Sequence, residues 1–479
     1  MDKTALRKRL GKRFLALQSE RTAWEPVWRE ASELVNPWRG RFGAERVGRR
    51  LNEKAYDSEA TRALDILDAG LTSGLAGPSR PWFRLGLPDP ELSDYKPVRE
   101  WLDRVEEVMQ WIFQRTNTYR ALSSAYVELG LFGTAATLWQ ADYDNFMRGD
   151  TLTAGEYWLA NGSNQDADTL YRTLRLTVAQ VVERFGLDAV SQRTRQLWDT
   201  GDYDQKRTVI HAIEPNRNRV PRQLGPEGKR WLSVYWEDND REELLSFRGL
   251  DRFPVTAPRW DGLESDVYGY GPAVRTLTDI RQLQAMELVM HEMLALEKEP
   301  IFAAPTEVAN ATNLSRNRSQ PGDIIYIPGL KGAVQPLYQV KTDIIAFAKK
   351  IEEIRSRVQS GFYANLFLAV TYLDRRNMTA HEIDVREEEK LVALGPVLER
   401  LHHGLLSPLI NFTMDLMVEN SIACWRLGEG RAIIPAPPPE LEGMEFQVDY
   451  ISPLAQAQRA IGIGTIERTV GFAGEIAKI

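Results

Sequence analysis

Apolar residues recur at helical spacing over long stretches in the first and last thirds of the chain, while period-two alternation is confined to the middle. Leu10, Phe14, Leu17, Trp24 and Trp28 share one helical face between charges, so residues 1–35 read as a single amphipathic helix ended by Pro37-Trp38-Arg39-Gly40. After a basic, glycine-containing loop, Asp57-Ser58 offers an N-cap for a second helix bearing Ala60, Leu64, Leu67 and Leu71, which stops between Gly74 and Pro81. Trp82 to Leu85 reads as a short strand. Helices follow near Val98 to Gln114, with Trp101, Val105, Val108 and Ile112 on one face, and near Tyr119 to Leu131 before the Gly130–Gly133 break. From Thr134 to about Phe253 the period changes: Thr134–Gln140, Thr151–Leu159, Thr169–Leu176, Thr208–Pro215 and Trp231–Glu237 read as strands, with helices only at Ala179–Phe185 and Asp188–Thr200.

A sharp turn, Tyr268-Gly269-Tyr270-Gly271-Pro272, opens a long helix over 273–299, about 40 Å at the usual rise. Its apolar residues lie nearly all round: Leu283, Met286, Leu288, Val289, Met290, Met293, Leu294 and Leu296. Residues 301–339 are short-strand, turn-rich sequence, and a second long helix spans about 342–363. The pair predicts an antiparallel stalk with a small β-rich insert at its tip. A helix apolar on every side needs cover on every side, so neighbouring copies are expected to complete its burial. A polar, aromatic hinge over Ala369–Asn377 leads to a still longer helical pattern from Leu391 to Leu416, which Gly395-Pro396 and Ser407-Pro408 should kink. A proline-rich loop, Pro435 to Pro439, precedes a last helical stretch from about Pro453. That stretch reaches the final residue without a capping signal, which leaves room for a longer natural chain. The fold class expected is α+β, mainly helical.

Composition narrows the function. The 479 residues carry 60 Lys+Arg against 67 Asp+Glu, a formal charge of −7, so the chain is no basic nucleic-acid coat. A lone cysteine, Cys424, excludes an intrachain disulfide framework and cysteine-cluster zinc sites, and fits a reducing compartment. No uninterrupted apolar run is long enough to span a bilayer, and Met1 to Arg13 is too charged for a secretory signal. The 13 Trp, 16 Tyr and 16 Phe require large buried surfaces, within the chain or between chains.

Enzyme signatures are missing. Gly225-Pro-Glu-Gly-Lys229 lacks the spacing and the Ser/Thr of a phosphate loop and reads as a turn. Gly269-x-Gly271 lacks the third glycine of a dinucleotide site, His381-Glu382 lacks the second histidine of a zincin helix, and His402-His403 point apart on a helix. Cys424 has no basic neighbour to activate it. The carboxylates Glu382, Asp384, Glu387, Glu388 and Glu389 read as a solvated face or an inter-subunit salt-bridge row rather than a divalent-ion site. No catalytic residue, metal or cofactor is expected.

The second long helix has a basic excess: Lys341, Lys349, Lys350, Arg355 and Arg357 against Asp343, Glu352 and Glu353. Arg375-Arg376 follow in the hinge, and Arg316, Arg318 and Lys331 sit in the tip insert. In a closed ring each such residue becomes a ring of positive charge about a common axis.

In this order the chain resembles the portal, or head-to-tail connector, proteins of short-tailed (podovirus-type) tailed bacteriophages. The resemblance rests on Trp24-Glu25-x-x-Trp28-x-Glu30 with Pro37, Tyr56-Asp57-Ser58-x-Ala60-Thr61 leading to Gly74-Leu75, and Pro81-Trp82-Phe83-x-Leu85. It continues through Tyr268-Gly269-x-Gly271-Pro272-Ala273 with Leu277-x-Asp279-Ile280, then Met378-Thr379-Ala380-x-Glu382 and Leu394-Gly395-Pro396, with His381 where the family often has Thr. It implies a ring of about twelve copies at one capsid vertex of the virion, assembled in the host cytoplasm, with a channel for double-stranded DNA packaging and ejection. The partners implied are the terminase large subunit, the major capsid and scaffolding proteins and a tail adaptor; no membrane is involved. The parts implied are a wing over 1–272, a stem helix over 273–299, a clip over 300–341 and a second stem helix over 342–363. A tunnel loop over 364–378, a wing return helix over 379–395 and a crown over 396–479 follow. Arg316, Arg318, Lys331, Lys349, Lys350, Arg355, Arg357, Arg375 and Arg376 are then the expected non-specific phosphate contacts of the channel. Two other readings stand beside it: a metal-dependent phage nuclease using the 382–389 carboxylates, and a collar or adaptor ring that never touches DNA.

Overall fold

The computed structural model describes residues 3–43, 54–238, 243–263, 265–298, 300–305, 324–327, 335–336, 344–373, 394–427, 432–441 and 444–459. The first third is helical. The expected single N-terminal helix is two, α1 (Lys3–Arg21) and α2 (Glu25–Val35), because Pro26 lies in the first turn of α2 and cannot donate back into α1. α3 (Glu59–Leu75) starts where the capping signal stood, although the Asp57 carboxylate, not the Ser58 hydroxyl, accepts from the Glu59 amide, at 2.7 Å. β1 (Phe83–Gly86), α4 (Pro90–Asp94), α5 (Lys96–Arg115) and α6 (Thr118–Phe132) follow, close to their expected positions.

The middle is antiparallel throughout. β2 (Ala136–Asp142), β3 (Phe146–Leu152) and the short β9 (Val255–Thr256) form one sheet in the order β3-β2-β9. β4 (Tyr157–Asn161), β5 (Ala167–Thr177), β6 (Lys206–Pro215), β7 (Trp231–Glu237) and β8 (Ser246–Leu250) form a five-stranded meander. The single strand expected over Thr151–Leu159 is instead the end of β3 and the start of β4, separated by a turn whose Gly155 takes φ +99°. α7 (Val178–Phe185), opened by a Thr177–Gln180 capping box, and α8 (Gln192–Asp199) connect β5 to β6. On one face of the meander lies α1, through Leu6, Leu10, Phe14 and Leu17; on the other, Val181 and Val190 pack against Val209 and Tyr235.

The Tyr268–Pro272 turn shows why two of its glycines are required. Gly133, which closes α6 at φ +83°, packs backbone to backbone against Gly269 and Gly271, and a Cβ at any of the three would enter the opposing chain. Gly269 N–H donates to Thr134 Oγ1 at 2.7 Å and Trp260 N–H to Gly133 O at 2.9 Å. The motif is a packing device, and Trp24, Trp28, Phe42, Phe132 and Tyr268 stack around it with centroids 5.0–6.4 Å apart. From here run α9 (Pro272–Arg275) and, after a break at Thr276, α10 (Leu277–Lys298).

β10 (Phe302–Pro305) pairs in parallel with β11 (Ile324–Ile327) and antiparallel with β12 (Gln335–Pro336), the described part of the β-rich insert. α11 (Ile344–Gly361) returns along α10, and α12 (Ala364–Leu373) occupies much of the segment expected as hinge and loop. α13 (394–401) continues through a π-helical turn, His402–Leu406, into α14 (Ser407–Leu427). The wide turn sits just before Pro408, which has no amide to donate, so the ladder is loosened by the residue expected to kink it. β13 (Gln447–Tyr450), not expected from the sequence, pairs with β1 in the register Phe83–Tyr450 to Gly86–Gln447, and a short helix, α15 (453–459), follows. One large core joins α2, α3, α5, α6, the β3-β2-β9 sheet and the root of α10 and α11 to α12, α13 and α14. The fold is α+β and mainly helical.

Candidate functional site

α10 and α11 are the expected stalk, and their charges are complementary. α10 carries Asp279, Glu287, Glu292 and Glu297 against Arg281 and Lys298; α11 carries Lys349, Lys350, Arg355 and Arg357 against Glu352 and Glu353. The helices run antiparallel: Gly361 abuts Thr276, Arg357 meets Asp279 at 3.3 Å and Gln282 at 3.0 Å, and Arg355 meets Glu287 at 2.7 Å. Gly361 is required here, because a Cβ would enter the Thr276 side chain.

The root of the stalk is clamped to the start of α3. Gln284 Oε1 accepts from the Tyr56 and Asp57 amides at 2.6 and 2.9 Å, while its Nε2 donates to Asp57 O at 2.8 Å. The Asp57 carboxylate, buried at the same point, accepts from Arg355 Nε and Nη2 at 3.1 and 2.7 Å. Arg355 also reaches Glu352 at 3.5 Å, and Gln359 Nε2 donates to Glu59 Oε1 at 2.7 Å. The carboxylates around Arg355, Asp57 foremost, raise its pKa above the ordinary arginine value, so it stays charged. Arg281 ties α10 to Glu30 of α2, and that pairing lowers the Glu30 pKa. Beneath these polar ties Leu277, Ile280 and Leu283 of α10 and Ile351, Ile354 and Val358 of α11 are buried in the same core.

The outer half of the stalk differs. Val289 and Leu294 are 42% and 45% exposed and Ile345 is 82% exposed, whereas Leu277, Ile280 and Leu283 are at most 5% exposed. The apolar surface that the sequence spread round the whole helix is covered at the root and open beyond it.

Four of the nine expected phosphate contacts fall on described residues. Arg355 is held by three carboxylates of its own chain, so its charge is already matched and it acts as a tie between stalk and α3. Arg357 is shared with Asp279 and Gln282, and Lys350 with Glu353 at 2.9 Å, which lowers the Glu353 pKa. Lys349 is exposed and, among the described residues, has no carboxylate in ion-pair contact. Arg316, Arg318, Lys331, Arg375 and Arg376 lie outside the described residues, as do Glu382 to Glu389 of the nuclease reading. Among the described residues no group of His, Cys, Asp or Glu is placed to hold a metal ion, and no helix is long and apolar enough to cross a membrane. His402 stacks on Tyr450 at 3.9 Å; burial pushes it down to about 4, while His403 lies apart from that stack. Asp57 and Gln284 were missed as site residues; the Asp57-Ser58 capping signal located the first but not its partner 227 residues later.

Residues 7–479 match the family model described as bacteriophage head to tail connecting protein. The chain is 38% identical over 478 residues to the probable portal protein of Bordetella phage BPP-1, covering 99% of this chain and 83% of that one. It is 35% identical over 478 residues to the portal protein of Salmonella phage epsilon15, covering 98% and 83%. A chain from the virion of a native gene transfer agent particle is similar at a TM-score of 0.29 and 10% identity over 85% of this chain and 89% of that one, too slight to bear on the fold. With a match over almost its whole length to the family and to two phage portal proteins, the chain belongs to the bacteriophage head-to-tail connecting proteins, the portal family.

Proposed function

We propose that the chain assembles into a ring of about twelve copies at one capsid vertex, through which double-stranded DNA enters during packaging and leaves on ejection. The observation that carries this reading is the stalk: a clamped root and an outer half whose apolar surface the described residues leave open. Around a common axis the open surface is covered by neighbouring copies, α10 and α11 become the stem, and the β10–β12 insert becomes the clip. The 364–378 segment, of which α12 forms most, lines the tunnel beside residues 379–395; 1–272 forms the wing and 396–479 the crown. The role requires no bond chemistry of the chain. Conduction is passive: sparse cations touch phosphates without regard to sequence, and an acidic balance elsewhere keeps DNA from sticking. Lys349, Lys350 and Arg357, with Arg375, Arg376, Arg316, Arg318 and Lys331, are the proposed contacts, and Arg355 supports them from the root. The partners are the terminase large subunit, the major capsid and scaffolding proteins and a tail adaptor. Assembly takes place in the host cytoplasm and the product resides in the virion.

Negative-stain imaging of the purified protein is expected to show rings with a central hole wide enough for a duplex; monomers at high concentration would refute the ring. Arg375→Ala with Arg376→Ala should leave rings intact and lower the DNA packaged or retained per particle. Unchanged packaging would remove these residues from the channel.

A further inference from the structure

Among the described helices α1 is the most one-sidedly basic in an acidic chain, with seven Lys and Arg against Glu20 alone. Four of the seven are occupied. Arg7 lies over the Trp236 ring at 4.8 Å, Arg9 and Arg13 meet Glu214 at 2.5 and 3.6 Å, and Arg21 pairs with Glu25 while lying over Trp158 at 4.0 Å. The three lysines, Lys3, Lys8 and Lys12, are exposed and have no carboxylate in contact among the described residues. Lys8 and Lys12 stand one turn apart on the face opposite the buried Leu10 and Phe14. Between and beyond them on that face are Ala5, Leu15 and Ala16, and Leu15 is 65% exposed.

We infer that this outer face of α1 docks an acidic helical segment of a partner protein. The platform is rigid: Phe14 is wedged between Trp158 at 4.8 Å and Tyr171 at 5.9 Å, and Arg21 Nη1 donates to Gly155 O and Tyr157 O at 3.0 and 2.8 Å. The lysines take no part in that anchoring, and no described carboxylate matches their charge. A partner helix with carboxylates four residues apart beside an apolar residue matches two lysines one turn apart beside Leu15. Nucleic acid is the poorer fit, because duplex affinity grows with the number of phosphates neutralised and the arginines that would extend the row are already paired. This surface is on the meander, separate from the stalk, and stands or falls apart from the DNA-channel reading.

The test uses the full chain and fluorescence anisotropy with a labelled helical peptide of about 20 residues carrying Glu pairs at i, i+4 around Leu. A scrambled peptide of the same composition and a labelled DNA duplex serve as competing probes. The Glu-Leu helix is expected to bind in a salt-sensitive manner, several-fold more tightly than the scrambled peptide. Lys8→Glu with Lys12→Glu should weaken it by about tenfold or more, and Leu15→Asp should weaken it as well. Lys8→Ala with Lys12→Ala, checked by circular dichroism, separates lost contact from misfolding. Absence of binding, equal affinity for both peptides, an unaffected double variant, or a duplex that binds more tightly and is released by the same substitutions would each overturn the inference.

Discussion

Arg355 draws carboxylates from three places in the chain: Asp57 before α3, Glu287 on α10 and Glu352 on its own helix. Removing its side chain leaves the buried Asp57 carboxylate without its cation, which costs more than the pair contributes while intact. Arg355→Ala is therefore expected to destabilise the chain by about 2 kcal/mol, visible as a lower thermal midpoint. Arg355→Lys should recover only part of the loss, because an ammonium cannot supply the two donors that Nε and Nη2 direct at one carboxylate. The basic excess of this helix was legible in the sequence. Which cation is occupied was not, since the decisive partner of Arg355 lies 298 residues away. Lys350 and Glu353, three apart on one helix, are the kind of pair that local spacing does reveal.

Among elements, α12 approaches α3 most closely at a small residue. Gly70 leaves the space that the Phe367 ring fills, and a Cβ there would land within the ring. Gly70→Ala should cost about 1–3 kcal/mol by overpacking, and Phe367→Ala about 3–5 kcal/mol through the cavity it leaves. The double variant should cost less than the sum, because removing the ring takes away the two closest contacts and leaves only the residue-367 Cβ, 2.6 Å from the added methyl; denaturant titration of all three measures the difference. α12 runs into the expected hinge because that expectation rests on the polar end of Ala369–Asn377, Asp374 to Asn377, while the ten residues of α12, Ala-Asn-Leu-Phe-Leu-Ala-Val-Thr-Tyr-Leu, display no helical period of their own. β13 escaped for a different reason: four half-exposed residues acquire strand character only by pairing with Phe83–Gly86, far earlier in the chain. Helices with a strong stripe, such as α5 with buried Trp101, Val105, Met109 and Ile112, were legible almost to the residue.

On the scale of the whole molecule, the stalk divides into a root buried by the described residues and an outer half that they leave exposed. Val289→Glu with Leu294→Glu places charges on the open half. Burying each in an apolar contact costs about 2 kcal/mol or more. The variant is expected to lose ring assembly in mass photometry while the melting of the isolated chain is unchanged; intact rings would place the subunit contact elsewhere. The sequence announced that α10 is apolar on all sides and therefore needs more cover than one partner helix offers. It could not divide that need between the root and the outer half, because the division depends on where α2 and the start of α3 meet the stalk. The formal charge of −7 is similarly coarse: it averages over a basic α1, an acidic α10 and a basic α11 whose charges act in different places.

The clamp at Asp57 also sets a mechanical tolerance. α10 runs on from Gln284 to Lys298, about 21 Å of helical rod beyond the clamp. A rod of that length magnifies error, so a tilt of about 5° at the clamp moves the far end by about 2 Å, close to the radius of the helix backbone. Gln284 grips a backbone amide and carbonyl, and Arg355 grips the carboxylate of the same residue; together they fix both the pitch and the roll of the rod at its pivot. Geometric accuracy at the tip is thus bought at the base, by a few short bonds around one aspartate.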